Sequence, residues 1–356
     1  MSNKPSIKVY VVDDSAIVRQ TLALMLEGDP DLTLMGSAPN PLIADPIVRQ
    51  TRPDVLLLDI EMPGMDGLTF LRQIMADMPI PTVICSTLTE HGGKMALDAL
   101  AAGAIAVIAK PRLGLKQFLE TSRHELLQTL KTASRARPRA LQPLASAQPT
   151  ATAKSPAALV GVHALAMNKP VVLGASTGGT QAIEAVLLAL PRDCPGIVIV
   201  QHMPERFTAM YAQRLDALCA INVREAKDGD RVERGLALIA PGGKHLQLRK
   251  SGGQYWTVVT DGPPVNRHKP SVDVLFQSTV ECAGKDALAI ILTGMGNDGA
   301  RGMKLLHDRG ARTIAQDEAS CIVFGMPMEA IQLKAVDEVL PLSSVANAIL
   351  QFDRRA

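Results

Sequence analysis

Four acidic or hydroxylic positions near the start of the chain have the chemistry of a phosphoryl acceptor. Asp13 and Asp14 follow the apolar run Ile7–Val12, and Asp59 closes Val55-Leu56-Leu57-Leu58. Such β-branched, apolar runs predict parallel strands, whose carboxyl ends face one crevice. Three carboxylates gathered there repel one another unless a hard cation such as Mg²⁺ lies between them. Lys110, after Ile105–Ala109, brings a positive charge to the same edge, and Ser86, after Thr82–Cys85, brings a hydroxyl. A cation, a lysine and a hydroxyl around one aspartate neutralise the oxygens of a transferred phosphoryl group.

A second set lies beyond residue 170. Val171-Val172-Leu173 runs into Gly174-Ala175-Ser176-Thr177-Gly178-Gly179. This pattern fits a nucleophile elbow, in which glycines permit a sharp strand-to-helix turn that exposes the serine. It could equally cradle a dinucleotide phosphate at a helix N-terminus. The glycine spacing is not G-x-G-x-x-G, however, and the next strand ends in Gln201-His202 rather than an acidic ribose ligand. A serine hydroxyl needs an imidazole to take its proton, and the imidazole needs a third group to orient it. His202 fits the first role. Asp298, in the loop after Leu288–Thr293, fits the second. His245 and His268 compete as bases, with His268 better placed as a substrate-groove or surface residue, and Asp298 could instead cap the helix predicted at Ala300–Arg309.

The elements that must position these groups repeat a βα alternation twice. Strands are predicted at Ile7–Val12, Leu32–Ser37, Val55–Leu58, Thr82–Cys85 and Ile105–Ala109. A second series falls at Val171–Ala175, Ile197–Gln201, Leu236–Ala240, Tyr255–Thr260, Leu288–Thr293 and Arg312–Ala315. Helical periodicity separates most of them. The expected architecture is two doubly wound parallel-sheet α/β domains. The stretch around Gly242-Gly243 and Gly252-Gly253 reads as more antiparallel. Between the two regions, no Asp or Glu occurs from Leu126 to Ile183, and Ala, Pro, Ser, Thr and Gln dominate. Such a stretch buries too little apolar surface to order itself, which predicts a linker. The division expected is residues 1–127, a linker at 128–165, and 166–356, with Lys131–Arg139 able to extend the last helix of the first domain.

Composition narrows the function classes. The chain has 356 residues, 47% hydrophobic, 20% charged and 3% aromatic, with net charge +2. Near-neutral charge excludes a globally basic nucleic-acid binder, and the scarcity of aromatics argues against base-stacking surfaces. The five cysteines are scattered without a Cys-x-x-Cys pair, which predicts reduced thiols in the cytoplasm. The longest apolar run, Ala99–Ala109, is too short to span a bilayer. The basic linker suggests nucleic acid, but no helix-turn-helix or zinc-finger signature follows; a nucleotide-dependent oxidoreductase leaves His202 and Asp298 unexplained together.

Residues 5 to 125 resemble the receiver domain of two-component response regulators. The likeness rests on Val11-Val12-Asp13-Asp14-Ser15, on Leu58-Asp59-Ile60-Glu61-Met62-Pro63-Gly64-Met65-Asp66-Gly67, and on Ala109-Lys110-Pro111. It implies a flavodoxin-like fold with Asp59 as phosphoacceptor and Asp13, Asp14 and Asp59 around Mg²⁺. Ser86 would be the switch hydroxyl and Lys110 the phosphate partner. Val107 stands where receivers usually carry an aromatic residue, three positions before the lysine, so the side chain for an aromatic rotamer switch is missing. The segments Gly174–Gly179, Gln201-His202-Met203-Pro204, Asp261-Gly262-Pro263, Asn266–Phe276, Leu292–Asp298 and Glu318–Pro327 resemble the CheB family of chemotaxis protein-glutamate methylesterases. That likeness implies a Rossmann-like catalytic domain with Ser176 as nucleophile, His202 as general base and Asp298 as orienting acid. It implies no cofactor in the catalytic domain, and as substrate a glutamate γ-methyl ester or glutamine on chemoreceptors. It further implies phosphorylation by a chemotaxis histidine kinase, no nucleic-acid partner and no membrane insertion. The backbone N–H groups near Thr177 or Met295 are candidate oxyanion donors, and the receiver is expected to inhibit the catalytic site until Asp59 is phosphorylated.

Overall fold

The computed structural model describes residues 6–87, 89–110, 116–136 and 169–354. The expected linker lies outside them from residue 137 to 165. The first unit runs β1 (Ile7–Val12), α1 (Ala16–Leu26), β2 (Leu32–Ala38), α2 (Pro41–Thr51) and β3 (Val55–Asp59). It continues with α3 (Gly67–Asp77), β4 (Thr82–Ser86), α4 (Glu90–Ala101), β5 (Ala106–Ala109) and α5 (Lys116–Ala133). All pairings are parallel, in the order β2-β1-β3-β4-β5. The order reverses between β1 and β3, so the loops after those strands, carrying Asp13, Asp14 and Asp59, open onto the crevice where doubly wound sheets bind ligands. Strand β3 is buried along its whole length, as expected of a central parallel strand with helices on both faces. Helix α5 passes the predicted boundary at 127. Leu126, Leu127, Leu130 and Ala133 keep helical spacing into the core, so the apolar stripe continues for another turn and a half.

The second unit begins β6 (Val171–Ala175), α6 (Gly179–Leu188), β7 (Ile197–Gln201), α7 (Glu205–Leu218), β8 (Asn222–Glu225) and β9 (Leu236–Ile239). A hairpin of β10 (His245–Ser251) and β11 (Gln254–Thr260) leads to α8 (Val272–Cys282). Then come β12 (Leu288–Ile291), α9 (Ala300–Asp308), β13 (Arg312–Gln316), α10 (Met326–Gln332), β14 (Glu338–Leu340) and α11 (Leu342–Arg354). Seven parallel strands lie in the order β14-β13-β12-β6-β7-β9-β8, and β10-β11 forms a separate antiparallel ribbon. The antiparallel expectation thus holds for the ribbon alone; β9 joins the parallel sheet beside β7. Gly252 and Gly253 turn the ribbon with φ of 58° and 75°, the left-handed pair that a two-residue hairpin requires.

The sheet places three loops side by side. The order of strand addition reverses at β6, which lies between β7 and β12 and is parallel to both. Ser176 follows β6, His202 follows β7 and Asp298 follows β12, so all three occupy the carboxyl edge at the switch point. Helix α8 packs against β10, α9 and β6 through Val272, Leu275 and Phe276, and its first turn lies under the same edge.

The two units share apolar clusters. Ala96, Leu97, Ala99 and Leu100 of α4 belong to one buried cluster with Ala182, Ile183, Phe207 and Tyr211 of α6 and α7. Gln181 Nε2 donates to the carbonyl oxygens of Leu100 at 2.7 Å and Ala104 at 3.3 Å, and Arg214 pairs with Asp98 at 2.9 Å. On the other side of the contact, Leu130, Ala133 and Ala136 cluster with Val323, and Met295 and Ile322 pack against them.

Candidate active site and phosphoacceptor site

In the first unit, Asp13 and Asp59 are buried and Asp14 is exposed, and each offers a carboxylate oxygen within 4.8 Å of the others. Lys110 Nζ lies 2.6 Å from Asp59 Oδ2 and 3.2 Å from Asp13 Oδ2. The second contact is an ion pair without hydrogen-bond geometry, so the buried Asp13 Oδ2 keeps its lone pairs free. Burial pushes the Asp59 carboxyl up to about 6 despite the pull of Lys110, and Asp13 is raised for the same reason. One lysine does not balance three carboxylates. A hard divalent cation on these oxygens would, and the all-oxygen donor set fits one. Arg19 secures the loop by donating to the carbonyl oxygens of Asp13 and Asp14 at 2.6 and 3.1 Å.

Ser86 is buried at the end of β4, but its hydroxyl faces the carbonyls of Thr87 and Gly92 at 3.2 Å each, not Asp59. Thr87 donates to Glu61 Oε2 at 2.5 Å. The turn that Ser86 holds is tight against the second unit: a Cβ built on Gly93 would stand 2.3 Å from Met210 Cε. Val107 is half-buried against the core.

In the second unit, the register Ala175↔Gln201 puts Ser176 and His202 next to each other at the ends of β6 and β7. His202 N–H donates to the Ala175 carbonyl at 3.1 Å, and Gln201 Nε2 ties the Ser176 and His202 carbonyls at 2.9 and 3.0 Å. His202 Nε2 lies 2.8 Å from Asp298 Oδ2. Its Nδ1 is buried without a hydrogen-bond partner. No hydrogen bond joins the Ser176 hydroxyl to that ring in this conformation. The sharp turn after Ser176 uses Gly178 at φ 77°, where a Cβ would also stand 2.6 Å from Ile322 Cβ.

Asp298 is buried and does not cap the helix that follows it. It accepts from Ser271 Oγ at 2.7 Å, Asn266 Nδ2 at 2.8 Å, and the N–H groups of Val272 and Asp273 at 2.7 and 3.2 Å. It therefore sits on the N-terminus of α8, where unpaired N–H groups and the helix dipole favour an anion. Ser271, the N-cap of α8, turns its hydroxyl to Asp298 rather than to its own helix. Burial opposes the charge, yet the hydrogen bonds from His202, Asn266 and Ser271 outweigh it and hold Asp298 well below the usual carboxylate range. An ionised Asp298 requires His202 Nε2 to carry the proton, which leaves Nδ1 as the acceptor.

The other histidines separate clearly. His245 is buried; Nδ1 accepts from Ser271 N–H at 3.3 Å and Nε2 lies 3.0 Å from the Pro263 carbonyl, so both nitrogens anchor backbone and neither is free as a base. His268 is not a bare surface residue. Its ring stacks on His202 with centroids 3.7 Å apart and planes 10° apart. Burial, with His202 adding to it, pushes His268 down to about 4. Asn266, Ser271 and Asp273 carry no sequence signal of their own for a role at this site. Ser271 before Val272-Asp273 has the look of a helix start, but its use by a loop beyond the helix depends on strand order.

The oxyanion candidates are also placed. The amides of Thr177 and Met295 hydrogen-bond no described residue, while the Thr177 carbonyl accepts from Thr293 Oγ1 at 2.9 Å. Met295 touches Thr132 of α5 through its sulfur.

The fold and these two sites define a response-regulator receiver coupled to an α/β domain with hydrolase-type groups. Residues 9–121 match the family described as response regulator receiver domain, and residues 171–349 match CheB methylesterase. A protein-glutamate methylesterase/protein-glutamine glutaminase 2 of Xanthomonas campestris pv. campestris is 56% identical over 347 residues, 96% of this chain and 99% of that protein. Its namesake in Dechloromonas aromatica is 54% identical over 353 residues, 98% of each. The crystal structure of the Thermotoga maritima CheB methylesterase catalytic domain is 37% identical, covers 52% of this chain and 98% of its own, and superposes with a TM-score of 0.51. The chain belongs to the CheB methylesterase family.

Proposed function

We propose that this chain is a phosphorylation-regulated serine hydrolase that removes γ-methyl esters from glutamates, and amide nitrogen from glutamines, of chemoreceptors. The observation that carries the chemistry is the His202–Asp298 hydrogen bond beside Ser176, with His202 Nδ1 buried and unpartnered. Ser176 Oγ attacks the γ-carbonyl while His202 Nδ1 takes its proton, and the carbonyl oxygen becomes an anion. The Thr177 and Met295 amides, which hydrogen-bond no described residue, are the candidate donors to it, one correctly aimed donor contributing about 3–4 kcal/mol. His202 then gives the proton to departing methanol or ammonia. Water, activated by the same nitrogen, hydrolyses the acyl-serine. Asp298 stays ionised and stabilises the imidazolium. Rotation of the Ser176 hydroxyl toward Nδ1 would complete the constellation; such bonds are often long before substrate arrives.

Asp13, Asp14 and Asp59 would hold Mg²⁺, which when bound neutralises charge on a phosphoryl group. Asp59 accepts that group from a chemotaxis histidine kinase, and Lys110 pairs with its oxygens. The receiver inhibits the enzyme beforehand: α5 leans on Met295, Ile322 and Val323, the loops that flank Ser176. Neither nucleic acid nor the bilayer enters this scheme, and among the described residues no helix is long and apolar enough to cross a membrane. The catalytic domain needs no cofactor. The domain division proposed is that expected from the sequence, with the receiver extended to the end of α5. The test is methanol release from membranes carrying methylated chemoreceptors. Ser176→Ala is expected to lower the rate by on the order of 10⁴–10⁶, as loss of a serine nucleophile does; an unchanged rate would reject the assignment.

A further inference from the structure

His202 is held at its Asp298 side and nowhere else along its polar edge, because Nδ1 has no partner. An imidazole held by one hydrogen bond can still tilt about its Cβ–Cγ bond, which would change where Nδ1 points relative to Ser176. The face of the ring is closed by His268, stacked at 3.7 Å and nearly parallel. His268 is placed by a two-residue turn: Val265 N–H donates to the His268 carbonyl at 3.0 Å and His268 N–H to the Val265 carbonyl at 2.9 Å. Between them Asn266 and Arg267 both adopt left-handed backbone, φ 50° and 69°. This is the geometry of a type I′ turn, for which asparagine is well suited and arginine is not. Strain of that kind persists where the surroundings over-determine it. Here the side chain of Asn266 reaches Asp273 Oδ2 at 2.6 Å and Asp298 Oδ1 at 2.8 Å. One turn therefore grips both members of the His202–Asp298 pair, the acid by an amide and the base by a ring.

We propose that His268 is a positioning residue for the esterase and amidase reactions, its ring fixing the plane in which His202 meets Asp298 and presents Nδ1 to Ser176. This rests on the roles given above to Ser176, His202 and Asp298. Because burial disfavours its protonated form, His268 faces the imidazolium that develops on His202 without adding a second positive charge. The role requires a flat ring, not an ionisable one, so phenylalanine should serve and alanine should not.

The experiment compares full-length wild type, His268→Ala and His268→Phe, each supplied with a small phosphodonor and Mg²⁺. Methanol release gives kcat and KM, and ¹⁵N-edited spectra of labelled histidine follow the His202 Nε2 proton held by Asp298. His268→Ala should lose about tenfold or more in kcat, the scale of a misplaced catalytic group. KM should be unchanged, and the His202 proton signal should broaden or vanish. His268→Phe should restore both the rate and the signal. Wild-type kcat in His268→Ala, a rise in KM alone, or an unaltered His202 signal in that variant would overturn the proposal. If even the wild type releases no methanol, the esterase reading fails, and the ring signal still decides whether His268 positions His202.

Discussion

At Asp298 five donors converge on two oxygens: Ser271, Asn266 and the Asp273 amide on one, the Val272 amide and His202 on the other. Hydrogen bonds to an ionised group are the strong kind, and a buried carboxylate so surrounded stays charged and stays put. The neighbouring His268 has the opposite character, since it is half-buried and its surroundings favour the form without charge. Its folded pKa of about 4 lies below the ordinary histidine value of 6.5. Between these values the unfolded chain binds a proton that the folded chain refuses. Stability is thus full above pH 6.5 and declines as the pH falls toward 4, by up to about 1.4 kcal/mol per pH unit from this group. Urea unfolding of wild type and His268→Phe across that interval should show the wild type falling more steeply; parallel curves would contradict the assignment. At this scale the sequence was informative about Ser176, His202 and Asp298, whose types and strand-end positions announce their chemistry. It was silent about Asn266 and Ser271, because an amide or hydroxyl acquires its role only from what the fold brings opposite it.

Among the elements, β6 and α8 are the critical pair. Gly174 lies in β6 directly against the first turn of α8, and a Cβ there would stand 2.2 Å from Val272 Cγ1. Val272 in turn supplies an amide to Asp298. Gly174→Ala should therefore push the helix N-terminus off the carboxylate. The expected cost is about 1–3 kcal/mol of stability, the range for overpacking a full core, with a fall in kcat. Denaturant unfolding and methanol release check both, and wild-type values in each would show that the helix has room to move. Strand positions were legible from their β-branched runs, down to the ends of β6 and β7. The short edge strands β8 and β14 were not, for Asn222–Glu225 is mostly polar and Glu338–Leu340 holds only two apolar residues, too few for a run. Strand β10 was missed for a similar reason, as its second half is Arg249-Lys250-Ser251 on the exposed end of the ribbon.

On the scale of the whole molecule, the two units meet in two patches with distinct connections. Helix α4 rests on α6 and α7 through Gln181, Arg214 and Met210, and the turn that starts α4 is tied to Ser86. Helix α5 rests on Met295 and Val323, beside Ser176. If the Ser86 hydroxyl turns toward a phosphoryl group on Asp59, it releases the Gly92 carbonyl and loosens the turn at Gly93, without needing the aromatic side chain that Val107 replaces. The two-domain plan was readable in the βα alternation and the acid-free stretch between the domains. How the domains face each other was not, since α4 and α5 carry ordinary amphipathic patterns that do not say which surface they cover. The most direct test of this account measures initial rates of methanol release by the full chain, with and without acetyl phosphate and Mg²⁺, for wild type and Asp59→Asn. The account predicts a clear rise on phosphodonor addition in the wild type and none in Asp59→Asn. A wild-type rate indifferent to the phosphodonor, or an equal rise in Asp59→Asn, would contradict it.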